Sequence, residues 1–342
     1  MVIIMQNKHI LFTAPKTAEY LECDLPEASP GRVVVRLAVS SISSGTERAN
    51  VIGETAIGIG KTPDTPQFPR ISGYSSSGTV EAVGEGVTSV KPGDRVAMFW
   101  SSHSRYVSIP EGNVHKIPDS MSFEAAALVN IATFPMAAIR KCRFEIGESA
   151  IVMGLGVLGL IAVQLLRLSG AVPIIAVDPT PERRAQAMRY GADYALDPFE
   201  EGFNEKVKEL TGGGVKVAIE VTGNGQALDM VLDCMARFGR VALLGCTRHS
   251  DFTIDYYKKV HGPGITLIGA HTLARPQNES HGGWWTQRDD GNAVIALSAG
   301  GRLDLASMIE DTRVPSEAPE VYRRLCDEKS FPITQFDWRG EK

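Results

Sequence analysis

Long hydrophobic runs, paired cysteines, an excess of one charge and an abundance of aromatic residues are all missing from this sequence. The longest apolar stretch, 150–168, is broken by three glycines, Gln164 and Arg167, so it does not read as a membrane span. The five cysteines, Cys23, Cys142, Cys234, Cys246 and Cys326, are scattered without a C-x-x-C pair. That argues against a disulfide framework and against a structural zinc knot, and fits a cytoplasmic protein with reduced thiols. Aromatic residues make up 7% and the formal net charge is −5; with no basic stripe interleaved with aromatics, nucleic acid is not an expected partner. The first twelve residues start apolar but are interrupted by Gln6, Asn7 and Lys8. They lack the basic-then-apolar order and small-residue cleavage site of a signal peptide and read as a first strand. A nucleoside-triphosphate loop is missing too. Gly58-Ile59-Gly60-Lys61-Thr62 ends like one, but the motif's first glycine falls on Thr55 and no apolar strand precedes it.

What is present is a globular chain of 342 residues, 43% hydrophobic and 22% charged, with 34 glycines. That length suits two domains better than one core. Up to about residue 120 the pattern is β-rich. A β-branched run covers 33–39, and 77–83 leads through Val87 and Val90 to the turn Lys91-Pro92-Gly93-Asp94 and the run 95–99. Short strands between Gly and Pro suggest a small barrel, with 47–70 as a loop. From 122 the pattern changes. A helix is expected over 122–140, then strands at 149–153, 173–177, 217–221, 240–244 and 265–270. Helices are expected between them at 158–169, 181–190 (capped by Thr180) and 226–236. Strands alternating with helices imply a parallel sheet buried on both faces.

Gly154-Leu155-Gly156-Val157-Leu158-Gly159 matches G-x-G-x-x-G between an apolar strand and an apolar helix. In that setting Gly154 permits the tight turn, Gly156 lets a pyrophosphate approach the backbone, and Gly159 lets helix and strand pack closely. The pyrophosphate then meets free N–H groups at a helix N-terminus. The next strand ends in Asp178, 24 positions after Gly154, near the spacing of a ribose-binding acid. A carboxylate there would accept bonds from both ribose hydroxyls. A 2′-phosphate ~4 Å from it, at an effective dielectric of ~20, would be repelled by on the order of several kcal/mol. NAD is therefore the expected cofactor, although Arg183 and Arg184 follow closely in the next helix.

The segments Val90-Lys91-Pro92-Gly93-Asp94-Arg95-Val96 and 149–159, in this order and after a barrel-like half, resemble the medium-chain dehydrogenase/reductase superfamily over nearly the whole chain. The resemblance implies a GroES-like β-barrel catalytic domain from 1–121 and 273–342. It also implies a doubly wound parallel-sheet Rossmann domain over 122–272, with Thr222, Gly245 and Ala270 at the ends of later strands completing the cofactor set. Zinc members of the family carry a C-G-[ST]-D segment, which here reads Ser44-Gly45-Thr46-Glu47, and a G-H-E segment, which here reads Gly73-Tyr74-Ser75. A later ligand falls on Asn130. None of the residues at the ligand positions, Ser44, Tyr74, Ser75 and Asn130, carries the thiolate, imidazole or carboxylate that Zn²⁺ favours, and the lobe with four close cysteines is absent, so no bound metal is expected. The S-x-G-T-E pattern with Tyr74 resembles a branch that includes bacteriochlorophyllide a dehydrogenase; 127–141 resembles the polyol dehydrogenases.

Without zinc, hydrogen-bond donors must polarise the reacting oxygen. The resemblance puts Thr46 on the proton-relay position and Tyr74 where a ligand histidine would face the nicotinamide, with Glu47 and His103 as candidate proton acceptors. For each a bland reading stands beside this one: Tyr74 as filler, Glu47 paired with an arginine, His103 on the surface. His271 follows the 265–270 strand near the expected carboxamide site, His115 reads as structural, and Trp284 and Trp285 as cleft cover or interdomain packing. The leading expectation is an NAD-dependent oxidoreductase acting on a secondary alcohol or ketone of a small molecule such as a sugar, polyol or other hydroxylated ring. A zinc-free enoyl or quinone reductase is disfavoured by Asp178, and an inactive NAD-binding protein is the non-enzymatic alternative. A homodimer or homotetramer, joined through the edge strand at 265–270, is also expected.

Overall fold

The computed structural model describes residues 6–54, 67–248 and 252–340. The phosphate-loop-like segment at 58–62 lies outside the described residues. Contacts divide the chain into two compact units, Met1–Ile131 with Gly291–Lys342, and Ala132–Asp290. The junctions thus fall later than the 121/122 and 272/273 positions read from the sequence. At the first, Ser77 Oγ and Ser75 Oγ donate to the carbonyls of Phe123 and Ala127, tying the first helical turns to the barrel strand Ser75–Val83. At the second, Asp290 pairs with Arg140 and Arg275, holding 273–290 to the parallel-sheet unit.

The first unit is built from short strands whose apolar residues face one core. A three-stranded sheet joins Thr17–Cys23, Asn7–Ala14 and Arg70–Ile71. A seven-stranded sheet is centred on Arg32–Ser41 and Ser75–Val83, which pair antiparallel. Backbone bonds from Ile10 N to the His103 carbonyl and from Arg105 N to the Lys8 carbonyl stitch the two sheets together. Val33, Val35, Leu37, Val96, Met98 and Ile109 fill the core with Phe336 and Trp338 from the C-terminal segment. The expected loop at 47–70 instead begins inside a helix, Ser44–Ile52, closed by Gly53 in a left-handed conformation, φ 78°. Arg48 fixes it from outside by donating to the carbonyls of Leu325 and Glu328.

The second unit carries a six-stranded parallel sheet. Counted from Ala150–Met153, its strands lie in the order 3-2-1-4-5-6, the doubly wound order that opens a crevice between strands 1 and 4. The expected strands are present as Ala150–Met153, Ile174–Val177, Val215–Glu220, Met235–Leu243 and Thr266–Gly269. The third strand, Tyr194–Leu196, and the helix Phe203–Thr211 were not marked in the sequence. The single helix expected over 122–140 is two, Phe123–Ala126 and Val129–Lys141. Thr180 begins the helix Pro181–Arg189 without a side-chain cap; its own N–H is taken by Asp178 Oδ1 instead. Among the described residues no helix is long and apolar enough to cross a membrane.

Candidate functional site

In the second unit, the turn after the first strand is shaped by backbone geometry. Gly154 has φ 96°, a conformation that strongly favours glycine. A Cβ on Gly159 would stand 1.9 Å from the Gly154 carbonyl oxygen, so only glycine allows this helix to approach the strand so closely. Around Gly156, by contrast, an added Cβ would meet nothing within 4 Å. Gly156 begins the helix Val157–Leu168 without a side-chain cap, so the first N–H groups face open space that suits an anion. Leu155 and Val157 turn their side chains into the core and offer the crevice only backbone; Leu158 is half-buried.

Asp178 closes this turn. Its Oδ2 accepts from Leu155 N at 2.9 Å and its Oδ1 from Thr180 N at 2.8 Å, leaving further lone pairs on both oxygens. Arg184 donates to the Asp178 carbonyl and to Asp197, and Arg183 to Gln186. Neither therefore stands as a loose cation beside the carboxylate. On the far side of the crevice the sequence reading missed Glu220. This buried acid accepts from Thr222 N at 2.7 Å, from the Thr222 hydroxyl and from Gly223 N. Burial raises its pKa against those bonds. The only signal was a carboxylate at the end of an apolar strand. Gly245 packs so tightly that a Cβ would lie 2.1 Å from Gly223 N, and Ala270 is buried after the edge strand, its N–H on the Leu243 carbonyl. His271 is exposed. Within this unit Arg140 lies 3.5 Å over the Trp285 ring and Lys141 5.0 Å over the Trp284 ring.

In the first unit, hydroxyl groups gather at the start of the helix Ser44–Ile52. The Tyr74 hydroxyl donates to Ser43 Oγ at 2.5 Å and also bonds the Thr46 side chain. Burial pushes the Tyr74 phenol well above its ordinary range; the Ser43 bond opposes this and the Glu47 charge adds to it. Tyr74 is therefore a neutral donor near pH 7, not a base. Its ring lies 5.8 Å from that of Trp100, tilted by 33°. Trp100 is 38% exposed and has φ 62°, a conformation that costs a bulky residue about 1–3 kcal/mol. Its N–H is held by the Tyr74 carbonyl at 2.9 Å. In the sequence Ser43 stood only as the first residue of the S-x-G-T-E pattern, without a role of its own, and Trp100 was not singled out.

Glu47 and His103, expected as proton acceptors, are both wholly buried. Glu47 accepts from Ser43 N, His103 and Tyr322; His103 bonds Glu47 and Ser40. Groups without exposed atoms, and with their polar atoms engaged, do not meet a substrate hydroxyl, so direct proton transfer to either is set aside.

The positions that bind zinc in relatives of the expected family hold a different chemistry. Ser75 Oγ donates to the Ala127 carbonyl at 2.6 Å and Asn130 Nδ2 to the Tyr74 carbonyl at 2.8 Å. The remaining groups there are the Ser44 hydroxyl and the Tyr74 phenol. Among the described residues no group of three His, Cys, Asp or Glu is arranged to hold a metal. Neutral hydroxyls and an amide already committed to backbone carbonyls do not fit a catalytic Zn²⁺. The crevice of the second unit, in contrast, fits a dinucleotide.

Comparison with known proteins adds the following. Residues 29–119 match the family model described as alcohol dehydrogenase GroES-like domain, and residues 157–281 that described as zinc-binding dehydrogenase. D-guloside 3-dehydrogenase of Shigella flexneri is 25% identical over 94% of this chain and 96% of its own. L-threonine 3-dehydrogenase of Pyrococcus abyssi is 30% identical over 79% of this chain and 82% of its own. The crystal structure of 2R,3R-butanediol dehydrogenase from Bacillus subtilis superposes with a TM-score of 0.81 at 25% identity, covering 97% of this chain and 99% of that one.

Proposed function

The chain belongs to the zinc-type, medium-chain alcohol dehydrogenase-like superfamily, and from that premise we propose that it is an NAD(H)-dependent oxidoreductase that interconverts a secondary alcohol and a ketone on a hydroxylated ring without a catalytic zinc. The observation that carries this reading is the Ser43–Tyr74–Thr46 hydroxyl cluster in the place of a metal-ligand set.

The Gly154–Gly159 turn and the free helix start at Val157 would hold the pyrophosphate, and Asp178 the adenosine ribose. Thr222, Gly245 and Ala270 would line the rest of the dinucleotide. Bound NAD⁺ supplies a hydride acceptor. The protein's own part is to hold the substrate hydroxyl. Tyr74, kept neutral by burial, would turn its single hydroxyl proton from Ser43 to the reacting oxygen when substrate binds and, with Thr46, stabilise the negative charge that grows as the proton leaves. The hydroxyl proton leaves to solvent water as the hydride leaves to NAD⁺, the cluster acting only as a hydrogen-bond donor to the oxygen. A ring substrate is favoured by the Tyr74–Trp100 pair, whose half-open aromatic faces suit the C–H face of a sugar. The similarity to a guloside dehydrogenase over almost the whole of both chains points the same way.

Two measurements test the proposal. In calorimetry NAD(H) should bind at least about tenfold more tightly than NADP(H), a gap of about 1.4 kcal/mol; equal affinities would reject the role of Asp178. A panel of pyranosides, cyclic polyols and acyclic polyols should then show NAD⁺ reduction with ring substrates first. Turnover of enones or quinones alone would favour the reductase reading.

A further inference from the structure

The buried groups around Glu47 form a hydrogen-bond chain whose two ends are fixed by their chemistry. The Trp338 indole N–H can only donate, and it donates to Ser40 Oγ at 2.8 Å. Ser40 Oγ in turn lies 2.7 Å from His103 Nδ1, and the far ring nitrogen, Nε2, carries a proton because the carboxylate beyond it only accepts. His103 Nε2 donates to Glu47 Oε2 at 3.1 Å. Tyr322 donates to the same oxygen, and Ser43 N–H to Oε1 at 2.9 Å. Every group on the Glu47 carboxylate is thus a donor, and the carboxylate is the end of the chain.

Each member of the Glu47–His103 pair touches one of the two segments that meet in the Tyr74–Ser43 hydrogen bond. Glu47 holds Ser43 by its backbone N–H. His103 meets the other: its backbone N–H donates to the Ser72 carbonyl at 2.9 Å, and its imidazole packs on Gly73. Gly73, at φ 84°, lies so close that a Cβ there would be 2.7 Å from the imidazole Cδ2. Tyr74 follows directly.

We infer that the buried Glu47–His103 pair is a positioning device that sets the Ser43 and Tyr74 hydroxyls at hydrogen-bonding distance, takes no proton from the substrate, and so stands in for the organising role a metal would have. This rests on the proposed reading of the site as the place where a hydroxyl is oxidised. Relaxing the pair separates the two hydroxyls, and small misplacements of such groups lower turnover steeply.

The test compares two variants at one position. In His103→Gln the side-chain amide can donate to Glu47 and accept from Ser40 but cannot titrate. It should keep turnover within about threefold of the original, with an unchanged pH profile. In His103→Leu kcat should fall roughly 10–100-fold with little change in KM or NAD affinity. Loss of turnover in His103→Gln as complete as in His103→Leu, or loss of a limb of its pH profile, would overturn the inference and make His103 a proton carrier. Crystal structures of unliganded His103→Leu, and of the milder Tyr322→Phe should the first not fold, give a readout that needs no substrate. The Tyr74–Ser43 hydrogen bond should be broken or lengthened there; finding it intact would also overturn the inference. Failure of the unaltered protein to oxidise any hydroxyl substrate would reject the proposed function, while these structures would still decide the positioning role.

Discussion

At the scale of single residues, the account stands on Tyr74. Tyr74→Phe keeps the ring against Trp100 and removes only the hydroxyl that donates to Ser43. If that hydroxyl holds the reacting oxygen, steady-state turnover should drop by roughly 10²–10³ while NAD affinity measured by titration stays constant. Unchanged turnover would make Tyr74 filler. A second residue-scale expectation concerns Lys141, buried between Trp284 and the Gly269 carbonyl. Burial, with the Arg275 charge beside it, pushes its pKa down to about 8, against an ordinary value near ~10.4. Above pH ~8 the native ammonium loses its proton while the unfolded one keeps it. Between those values the unfolded state therefore binds more protons, and stability rises with pH. In paired denaturation curves the stability of the unaltered protein relative to Lys141→Met should thus improve from pH 7 to pH 10. A flat difference would mean that Lys141 keeps its proton.

At the scale of elements, the helix Ser44–Ile52 matters most, because it presents Thr46 and Glu47. Its sequence, SGTERANVI, has a glycine near the start and little apolar periodicity, which is why 47–70 read as loop. What makes it a helix is distributed. Glu47 reaches back to Ser43 N, Gly53 closes it in a left-handed turn, and Arg48 reaches carbonyls some 280 positions away. Gly53→Ala should therefore destabilise the protein by about 1–2 kcal/mol, since it adds a Cβ at positive φ and 2.8 Å from the Phe68 ring. Chemical denaturation measures this, and a neutral substitution would show that the left-handed closure is not needed. The first helix and strand pairs of the parallel sheet behaved in the opposite way. Their apolar spacing and glycines are local, so they were legible almost to the residue. The break between Phe123–Ala126 and Val129–Lys141 was not, because it is tied to the Ala127 carbonyl accepting from Ser75 on a distant strand.

At the scale of the whole molecule, the parallel-sheet unit and the crevice between its strands 1 and 4 were readable because Gly154 to Asp178 lies within one short segment. The hydroxyl cluster was readable in part: Thr46 and Tyr74 came from family resemblance, but the burial of Glu47 and His103 did not. Their contact spans 56 positions and the Tyr322 bond to Glu47 spans 275, and no local pattern announces either. The strand Thr266–Gly269 lies at the end of the sheet order, an open edge that suits pairing with a second copy. We therefore expect light scattering at micromolar concentration to report a dimer or a multiple of it; a monomer would exclude pairing through this edge. The most direct test of the central claim measures metal and turnover on one preparation. Protein purified without added metal should contain far less than one zinc per chain by elemental analysis, and should oxidise its ring substrate with NAD⁺ at a rate that a chelator does not change. One tightly held zinc per chain, lost together with activity, would contradict the account.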